Sequence, residues 1–170
     1  MQTDRKEALR YLGLGKHEPD PETERLLEEC IREAESAADF RHLIREYPLI
    51  MEDDGTINGG CFRVKSENLR KNLAGCDSVL VMAVTVGAQV DRLLARYGKL
   101  SVAKAVVMQA AAAAMVEAYC NELNAGWKKE YLEKDLYLRP RFSPGYGDFR
   151  CRRKKRSLTA WRREKGSGSL

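Results

Sequence analysis

The segment from Pro140 to Phe149 carries the residues in this chain that are best suited to bind a small molecule. Two glycines and Pro144 permit sharp turns and let a ligand approach the backbone closely. Arg141 can pair with a carboxylate through two parallel hydrogen bonds, and Tyr146 offers an aromatic face together with a hydroxyl. This composition suits a zwitterionic or adenosine-bearing ligand, although an ordinary surface turn has the same ingredients.

The run Arg-Phe-Ser-Pro-Gly-Tyr-Gly-Asp-Phe at 141–149 resembles the signature of the activation (reactivation) domain of cobalamin-dependent methionine synthase. It is similar above all to the short, stand-alone bacterial relatives of that domain. Weaker support comes from three further features of the sequence, at 9–13, 85–87 and 116–117. The resemblance covers about residues 4–149, and the motif at 141–149 is its most specific part.

The resemblance implies that the chain binds S-adenosylmethionine. It assigns the methionine carboxylate to Arg141 and the ammonium group to Glu117, and it packs Tyr146 on the sulfonium or adenosyl region. The family's backbone contacts fall on Ser143 and Gly145. The alternative for Glu117 is an acidic side chain on the solvated face of a helix.

The family uses S-adenosylmethionine to rescue an oxidised cobalamin. Reduction of the inactive Co(II) form by a donor such as flavodoxin, coupled to methyl transfer from S-adenosylmethionine, restores methylcobalamin. This chain has no Asp-x-His-x-x-Gly motif for ligating cobalamin, and neither His17 nor His42 stands in such a context. The resemblance therefore implies a partner that carries the cobalamin, either a methionine synthase or another corrinoid protein.

No pair of residues suggests a nucleophile with its base, and no spacing of His, Cys, Asp and Glu is typical of a metal site. We therefore expect neither a catalytic residue nor a metal ligand in this chain. Its expected contribution to the methyltransferase system is to bind and orient the ligand. The five widely spaced cysteines contain no Cys-x-x-Cys pair and are expected to be reduced thiols.

Hydrophobic spacing and helix-end residues predict the helices. Asp20 and Pro21 should open a helix that extends to about Ala38, and Ser66 should cap another that stops at Gly75. Further helical stretches are predicted over 4–14, through the apolar residues at 90, 93, 94 and 97 to a stop at 98, from about 101 to a stop at 124–126, and over 127–134. The middle of the long helix is made almost entirely of small residues, which lets another element approach its backbone closely.

In the strand-like segments the apolar residues no longer follow the spacing of a helix. Residues 42–51 look extended with a break at Pro48, and 56–64 can return as the second arm of a hairpin. The continuous apolar run at 79–84 predicts a central strand buried on both faces, and 136–139 predicts another strand. This irregular mix predicts an α+β fold with mixed helices packed on a twisted, mainly antiparallel sheet. The resemblance implies the architecture of the methionine synthase activation domain, incomplete at the C-terminus.

The net charge of +5 is concentrated at the end of the chain. Residues 150–170 hold nine Lys or Arg and one Glu, which leaves 21 basic and 24 acidic residues and a net charge of −3 in 1–149. We therefore divide the chain into a body over 1–149 and a basic tail over 150–170 that is expected to be disordered. A rival function follows from the tail: a non-enzymatic interaction protein that binds nucleic acid or an acidic partner.

The resemblance stops abruptly after Phe149. Three interpretations of the tail remain open: a basic arm for nucleic acid, anionic lipid or a protein partner; a solvated tail; or the product of a frameshift. Synonymous codons for 150–170 can be chosen so that another frame reads L-S-Q-K-K-E-I-L-D-G-L-E-A-G-K-G-I-G-I-S-L, which resembles the family's continuation. The nucleotide sequence across the Phe149 codon tests this hypothesis, which fails if no single-base change opens such a frame.

The composition, with 44% hydrophobic and 32% charged residues, is ordinary for a soluble protein. The longest apolar stretches, at 79–86 and 102–116, are shorter than the ~18–20 residues that a membrane span needs. The N-terminal residues contain no apolar signal core. We therefore expect a cytoplasmic protein without a membrane partner, and nucleic acid is not the partner expected for its body.

Overall fold

The computed structural model describes residues 3–15 and 17–150. The chain divides into two compact units. The first holds the described residues up to Glu46 together with Leu80–Leu138, and the second holds Tyr47–Val79 together with the described residues from Arg139 onward. The predicted basic tail lies, apart from residue 150, outside the described residues.

The described residues form five helices and five strands. The helices are α1 (Arg5–Tyr11), α2 (Pro21–Ala37), α3 (Glu67–Asn72), α4 (Ala88–Leu100) and α5 (Val102–Leu132). The strands are β1 (Arg41–Pro48), β2 (Ile50–Met51), β3 (Ile57–Asn58), β4 (Arg63–Val64) and β5 (Ser78–Thr85). The fold is therefore mixed α+β, as predicted, with small sheets.

Local capping chemistry explains where the N-terminal helices begin. The Asp4 carboxylate accepts hydrogen bonds from the backbone N–H groups of the first turn of α1, and Asp20 does the same for α2. Pro21 occupies the start of α2, where its missing N–H costs nothing. The predicted helix from Asp20 to about Ala38 is confirmed.

The core of the first unit forms around α5, which contacts α1, α2 and α4. The small residues predicted in the middle of α5 are buried, among them Ala111 and Ala114, which have no exposed surface. Leu27 from α2 and Val90 from α4 are also fully buried in this cluster. Small side chains on α5 thus let three helices pack closely against it.

Two predicted helix ends are wrong. Gly98 lies inside α4, which continues to Leu100, and Gly126 lies inside α5, which continues to Leu132. The stretch predicted over 127–134 is the second half of α5. This helix ends where Asp135 adopts a left-handed backbone with φ of 57°, and the N–H of Leu136 donates to the carbonyl of Tyr131.

The prediction that the central strand is buried on both faces is also wrong. β5 forms where it was expected, but none of its residues is fully buried, and among the described residues it pairs only with β1. The break after it is confirmed, because Gly87 with φ of 96° separates β5 from α4. Residues 136–139 form no strand in this structure.

The second unit contains a small antiparallel sheet in the order β2-β3-β4. Ile50 pairs with Asn58, so the predicted hairpin is confirmed between β2 and β3 only. β1, which makes up most of the predicted first arm, pairs with β5 instead. After β3 the chain turns back so that Ile57 also pairs with Val64. Ile57 is fully buried, and it packs with Leu69 and Leu73. This cluster is the core of the second unit.

Among the described residues, α5 is long and apolar enough to cross a membrane by length and composition. The core helix of a soluble protein passes the same test. Eight residues of α5 are buried, and they lie between Val107 and Cys120. The structure is compatible with a soluble protein in which α5 is a core helix.

Candidate functional site

Two aromatic residues hold the segment 140–149 in the core of the second unit. Phe142 and Phe149 both pack against the buried cluster around Ile57, and their rings stack with centroids 6.2 Å apart. Phe149 also lies 5.9 Å from the ring of Phe62. These contacts fix the loop at two points and leave the residues between them outside the core.

Asp148 joins the end of the loop to the N-terminus of α3. Its carboxylate accepts hydrogen bonds from the hydroxyl of Ser66 at 2.5 Å and from the backbone N–H of Glu67 at 2.7 Å. A third, longer bond of 3.3 Å comes from the N–H of Asn68. The Ser66 hydroxyl and these two N–H groups lower the pKa of Asp148, because hydrogen bonds to the charged form stabilise it.

The start of the loop is held at the other end of α3. The side-chain amide of Asn72 donates to the carbonyl of Pro140 at 3.2 Å. The guanidinium of Arg139 donates to the carbonyl of Ala74 at 3.1 Å. The segment is therefore tied to both ends of one short helix.

Backbone hydrogen bonds shape the tip of the loop. The N–H of Gly145 donates to the carbonyl of Phe149 at 2.7 Å, and the N–H of Tyr146 donates to that of Ser143 at 3.1 Å. Ser143 is exposed, and Tyr146 keeps 66% of its surface exposed. The tip is thus an ordered turn that presents an aromatic ring and a hydroxyl to solvent.

The two loop glycines have different surroundings. Gly145 has φ of 102°, and a Cβ built on it would meet no heavy atom within 4 Å. Gly147 has φ of 54°, and a Cβ built there would lie 2.3 Å from the side-chain amide of Asn68. Gly147 therefore allows close packing on α3, whereas the backbone at Gly145 faces open space that a ligand could occupy.

Arg141 precedes Phe142, the first aromatic anchor, and its side chain is exposed. It also takes part in an interaction within the protein. Arg141, Ser143, Gly145 and Tyr146 therefore lie on one loop of the second unit. A planar cation, an open backbone and an exposed aromatic ring in one turn can bind a carboxylate that carries an apolar or cationic group.

Glu117 belongs to the first unit, where it lies half-buried on α5. Burial raises the pKa of Tyr11, and the negative charge of Glu117 raises it further. Glu117 itself takes part in an interaction within the protein. Both expectations for Glu117, a ligand-binding carboxylate and an acidic side chain on the solvated face of a helix, stay open at this position.

The roles of Asp148 and Asn72 were missed in the sequence. Ser66 was recognised as a cap from its position before α3, but its partner is 82 residues away. The Asp at the end of the Gly-Tyr-Gly-Asp run was a visible signal, since aspartate is a preferred acceptor for helix N–H groups. No local pattern shows which helix such a residue caps.

A separate groove of about 550 Å³ lies in the first unit between α2 and α4. Its polar lining includes Arg32, Ser36, Gln89 and Arg96. None of the site residues predicted from the sequence lines it. Within 3–15 and 17–150, no group of three His, Cys, Asp or Glu residues could hold a metal ion.

Comparison with known proteins adds no family to this description. No family model matches the chain, and no curated protein matches it.

Proposed function

We propose that this chain is an S-adenosylmethionine-binding module that supports the reductive remethylation of the cobalamin of methionine synthase or of a related corrinoid methyltransferase. The observation that carries the proposal is the loop at 141–146. It combines an exposed guanidinium, an open backbone at Gly145 and an exposed ring at Tyr146 on a segment anchored by Phe142 and Phe149. The motif resemblance supplies the identity of the ligand.

The carboxylate of the ligand is assigned to Arg141. Guanidinium and carboxylate groups match in geometry and form two parallel hydrogen bonds, which a lysine cannot reproduce. Arg141 directly precedes Phe142, which packs in the core of the second unit. The position of its backbone is therefore fixed before the ligand arrives, and less entropy is lost on binding.

The sulfonium or adenosyl part of the ligand is assigned to Tyr146 and Gly145. A sulfonium is a cation, and a cation over an aromatic face is stabilised by about 0.5–2 kcal/mol. The exposed ring of Tyr146 offers such a face. Open space at Gly145 lets the ligand approach the backbone of the turn, and the exposed hydroxyl of Ser143 is a further hydrogen-bonding group.

Glu117 is the expected partner of the ligand's ammonium group. This assignment comes from the motif resemblance, and Glu117 lies on α5 of the first unit. A carboxylate that binds an ammonium contributes through its charge, so the isosteric Glu117→Gln change tests it. The ligand's affinity should fall in this variant.

When bound, S-adenosylmethionine supplies an electrophilic methyl group. The residues of this chain bind and orient the molecule, and the cobalamin and the reducing electron come from a corrinoid partner and a flavodoxin-like donor. Orientation of two reactants is a sufficient contribution, because it replaces a collision in solution with a positioned encounter. The chain is thus a component of a methyltransferase system.

A calorimetric titration of the full chain with S-adenosylmethionine tests the proposal. Arg141→Ala should weaken binding by about 10- to 100-fold, since a hydrogen-bonded charge pair contributes about 1.5–3 kcal/mol. The affinity of Arg141→Lys should lie between those of the wild type and Arg141→Ala, because lysine keeps the charge but cannot form two parallel hydrogen bonds. Arg150→Ala is the matched control, since it removes an exposed arginine just beyond the motif.

The rival function gives opposite results in the same experiment. A chain that acts through its basic tail binds polyanions, its affinity falls steeply with salt, and deletion of 150–170 abolishes binding. The proposed function requires S-adenosylmethionine binding with little salt dependence. The proposal is wrong if the wild-type chain does not bind the ligand, or if Arg141→Ala binds it as well as the wild type.

A further inference from the structure

We propose that Asp148 is a positioning residue for the ligand loop: by capping α3 from a distance, it holds Arg141, Gly145 and Tyr146 in the arrangement that binds the ligand. The inference rests on the proposed function for the identity of that ligand. Asp148 itself is assigned no contact with the ligand. Its effect is transmitted through the turn that precedes it.

The geometry at Asp148 shows why its carboxylate can control the turn. Both carboxylate oxygens are used, one by the Ser66 hydroxyl and the other by the N–H of Glu67. The next backbone bonds lead directly into the tip, because the N–H of Phe149 donates to the carbonyl of Tyr146 at 3.0 Å. The carbonyl of Phe149 accepts in turn from Gly145 at 2.7 Å. Asp148, which is fixed on α3, is thus followed directly by Phe149, which closes the turn.

The hydrogen bonds at Asp148 are more numerous and shorter than those at the start of the loop. There, Asn72 donates one neutral bond of 3.2 Å to the carbonyl of Pro140, and the Arg139 guanidinium donates one bond of 3.1 Å to the carbonyl of Ala74. Asp148 accepts three charge-assisted bonds, two of them at 2.5 and 2.7 Å, and such bonds are about twice as strong as neutral ones. The loop end next to Gly145 and Tyr146 is therefore held more firmly than the end next to Arg141.

Packing alone leaves the turn less well determined. Phe142 and Phe149 anchor the two ends through apolar contacts, which are not directional. Between them the tip is exposed, and Gly145 carries no side chain to pack. The directional bonds of Asp148 therefore select one arrangement from those that the aromatic anchors allow.

The expected effect on affinity follows from the fraction of time that the loop spends in the arrangement that binds the ligand. If removal of the Asp148 carboxylate leaves the binding arrangement populated one-tenth of the time, the apparent affinity falls about tenfold. Asp148→Ala should therefore weaken S-adenosylmethionine binding about tenfold in the full chain. Asp148→Asn, which keeps one oxygen acceptor, should lose less. Asn72→Ala should also lose less, since it removes one neutral bond at the other end of the loop, where the Arg139 guanidinium still donates to the carbonyl of Ala74.

A control separates positioning from loss of stability. Ile57→Val removes one methyl from the fully buried core of the same unit and lowers its stability without removing any of the loop's hydrogen bonds. Its binding affinity should match that of the wild type at a temperature where both are folded. If Ile57→Val weakens binding as much as Asp148→Ala, Asp148 acts only through stability and the inference is wrong.

Amide hydrogen exchange makes the test independent of the ligand. In the ligand-free chain, Asp148→Ala should speed exchange at Gly145, Tyr146 and Phe149, the three amides that close the turn. Unchanged exchange at these amides overturns the inference. If the wild type fails to bind S-adenosylmethionine, the proposed function is wrong, and the exchange result still decides whether Asp148 holds the turn. If the wild type binds and Asp148→Ala binds equally well, the positioning role alone is wrong.

Discussion

The hydroxyl of Ser66 donates a hydrogen bond to the carboxylate of Asp148 at 2.5 Å across 82 positions of the chain. The same hydroxyl accepts a bond from the N–H of Leu69 at 3.0 Å, so one oxygen both caps α3 and holds the loop. Ser66 is only 5% exposed although it is polar. The start of α3 and the end of the candidate ligand loop therefore form one hydrogen-bonded structure, and they should respond together to mutation.

Ser66→Ala should destabilise the protein by about 1 kcal/mol, the usual cost of losing a serine cap. Combined with Asp148→Ala, its effect should be clearly less than additive, because both changes disrupt the same helix start. Chemical denaturation of the two single variants and the double variant measures this coupling. Ser101→Ala is the matched control, since Ser101 caps α5 in the first unit. Additivity of the Ser66 and Asp148 changes would show that the two residues act independently.

The Asp148 contribution should disappear in acid. Hydrogen bonds from Ser66 and from the N–H groups of Glu67 and Asn68 hold the pKa of Asp148 below its usual value. A carboxyl with a lowered folded-state pKa stabilises the protein above its unfolded pKa, near 3.9, and loses that effect as the pH falls through the folded value.

Urea unfolding of wild type and Asp148→Asn from neutral pH to about pH 2 measures this loss. The stability difference should be constant above about pH 5 and should shrink below it, since protonated aspartic acid resembles asparagine. Asn72→Ala, which removes no titratable group from the other end of the loop, serves as the control, and its stability difference from the wild type should not follow this titration. A difference for Asp148→Asn that stays constant down to about pH 2 would contradict the assignment.

Local chemistry explains which elements could be predicted. The starts of α2 and α3 were predicted from Asp20 and Ser66, because a cap and the N–H groups it satisfies lie within a few residues. The hairpin through Ile50 and Asn58 was found for a similar reason, since an Asp-Asp-Gly turn stands between its arms. Four of the five predicted site residues lie on one loop because they belong to one contiguous motif.

Long-range contacts explain what the sequence could not show. α5 passes through Gly126 because its second half contacts β1: the hydroxyl of Tyr131 donates to Glu46 at 2.9 Å, and Trp127 lies edge-on to His42 at 6.0 Å. Such contacts outweigh the cost of about 1 kcal/mol for a glycine in a helix. The environment of β5 was predicted wrongly for the same reason, because its neighbours are set by the whole fold.

Gly126→Ala should therefore stabilise the protein by about 0.5–1 kcal/mol. Gly126 lies inside α5, and a Cβ built on it would meet no heavy atom within 4 Å. Alanine restricts the unfolded chain without a clash in the folded one. A raised denaturation midpoint with an unchanged slope is the expected result. A loss of stability would show that α5 is not helical at this position.

The close packing on α5 makes its buried alanines sensitive to size. Ala111 has no exposed surface, so Ala111→Leu must push apart the helices that contact α5 and should cost about 1–3 kcal/mol. Ala125→Leu is the matched control, because Ala125 is exposed on the same helix and leucine has nearly the helix propensity of alanine. Comparing the denaturation midpoints of the two variants tests this prediction. Equal midpoints would contradict the close approach of α1, α2 and α4 to this face.

Adding a side chain at either loop glycine should destabilise the protein, but for different reasons. Gly145→Ala places alanine at φ of 102°, which costs about 1–3 kcal/mol of backbone strain whatever its neighbours are. Gly147→Ala has φ of 54°, a left-handed conformation that is less strained, but its Cβ would lie 2.3 Å from the Asn68 side chain.

Removing that side chain distinguishes the two cases. Asn68→Ala should restore part of the stability lost in Gly147→Ala and none of that lost in Gly145→Ala, because only the first loss includes a clash with Asn68. The bond from the Asn68 N–H to Asp148 uses the backbone, so the α3 cap survives the substitution. Denaturation of the four variants provides the comparison. Equal rescue at both glycines would mean that an added side chain at Gly145 also clashes with Asn68. The space over Gly145 would then not be open to a ligand.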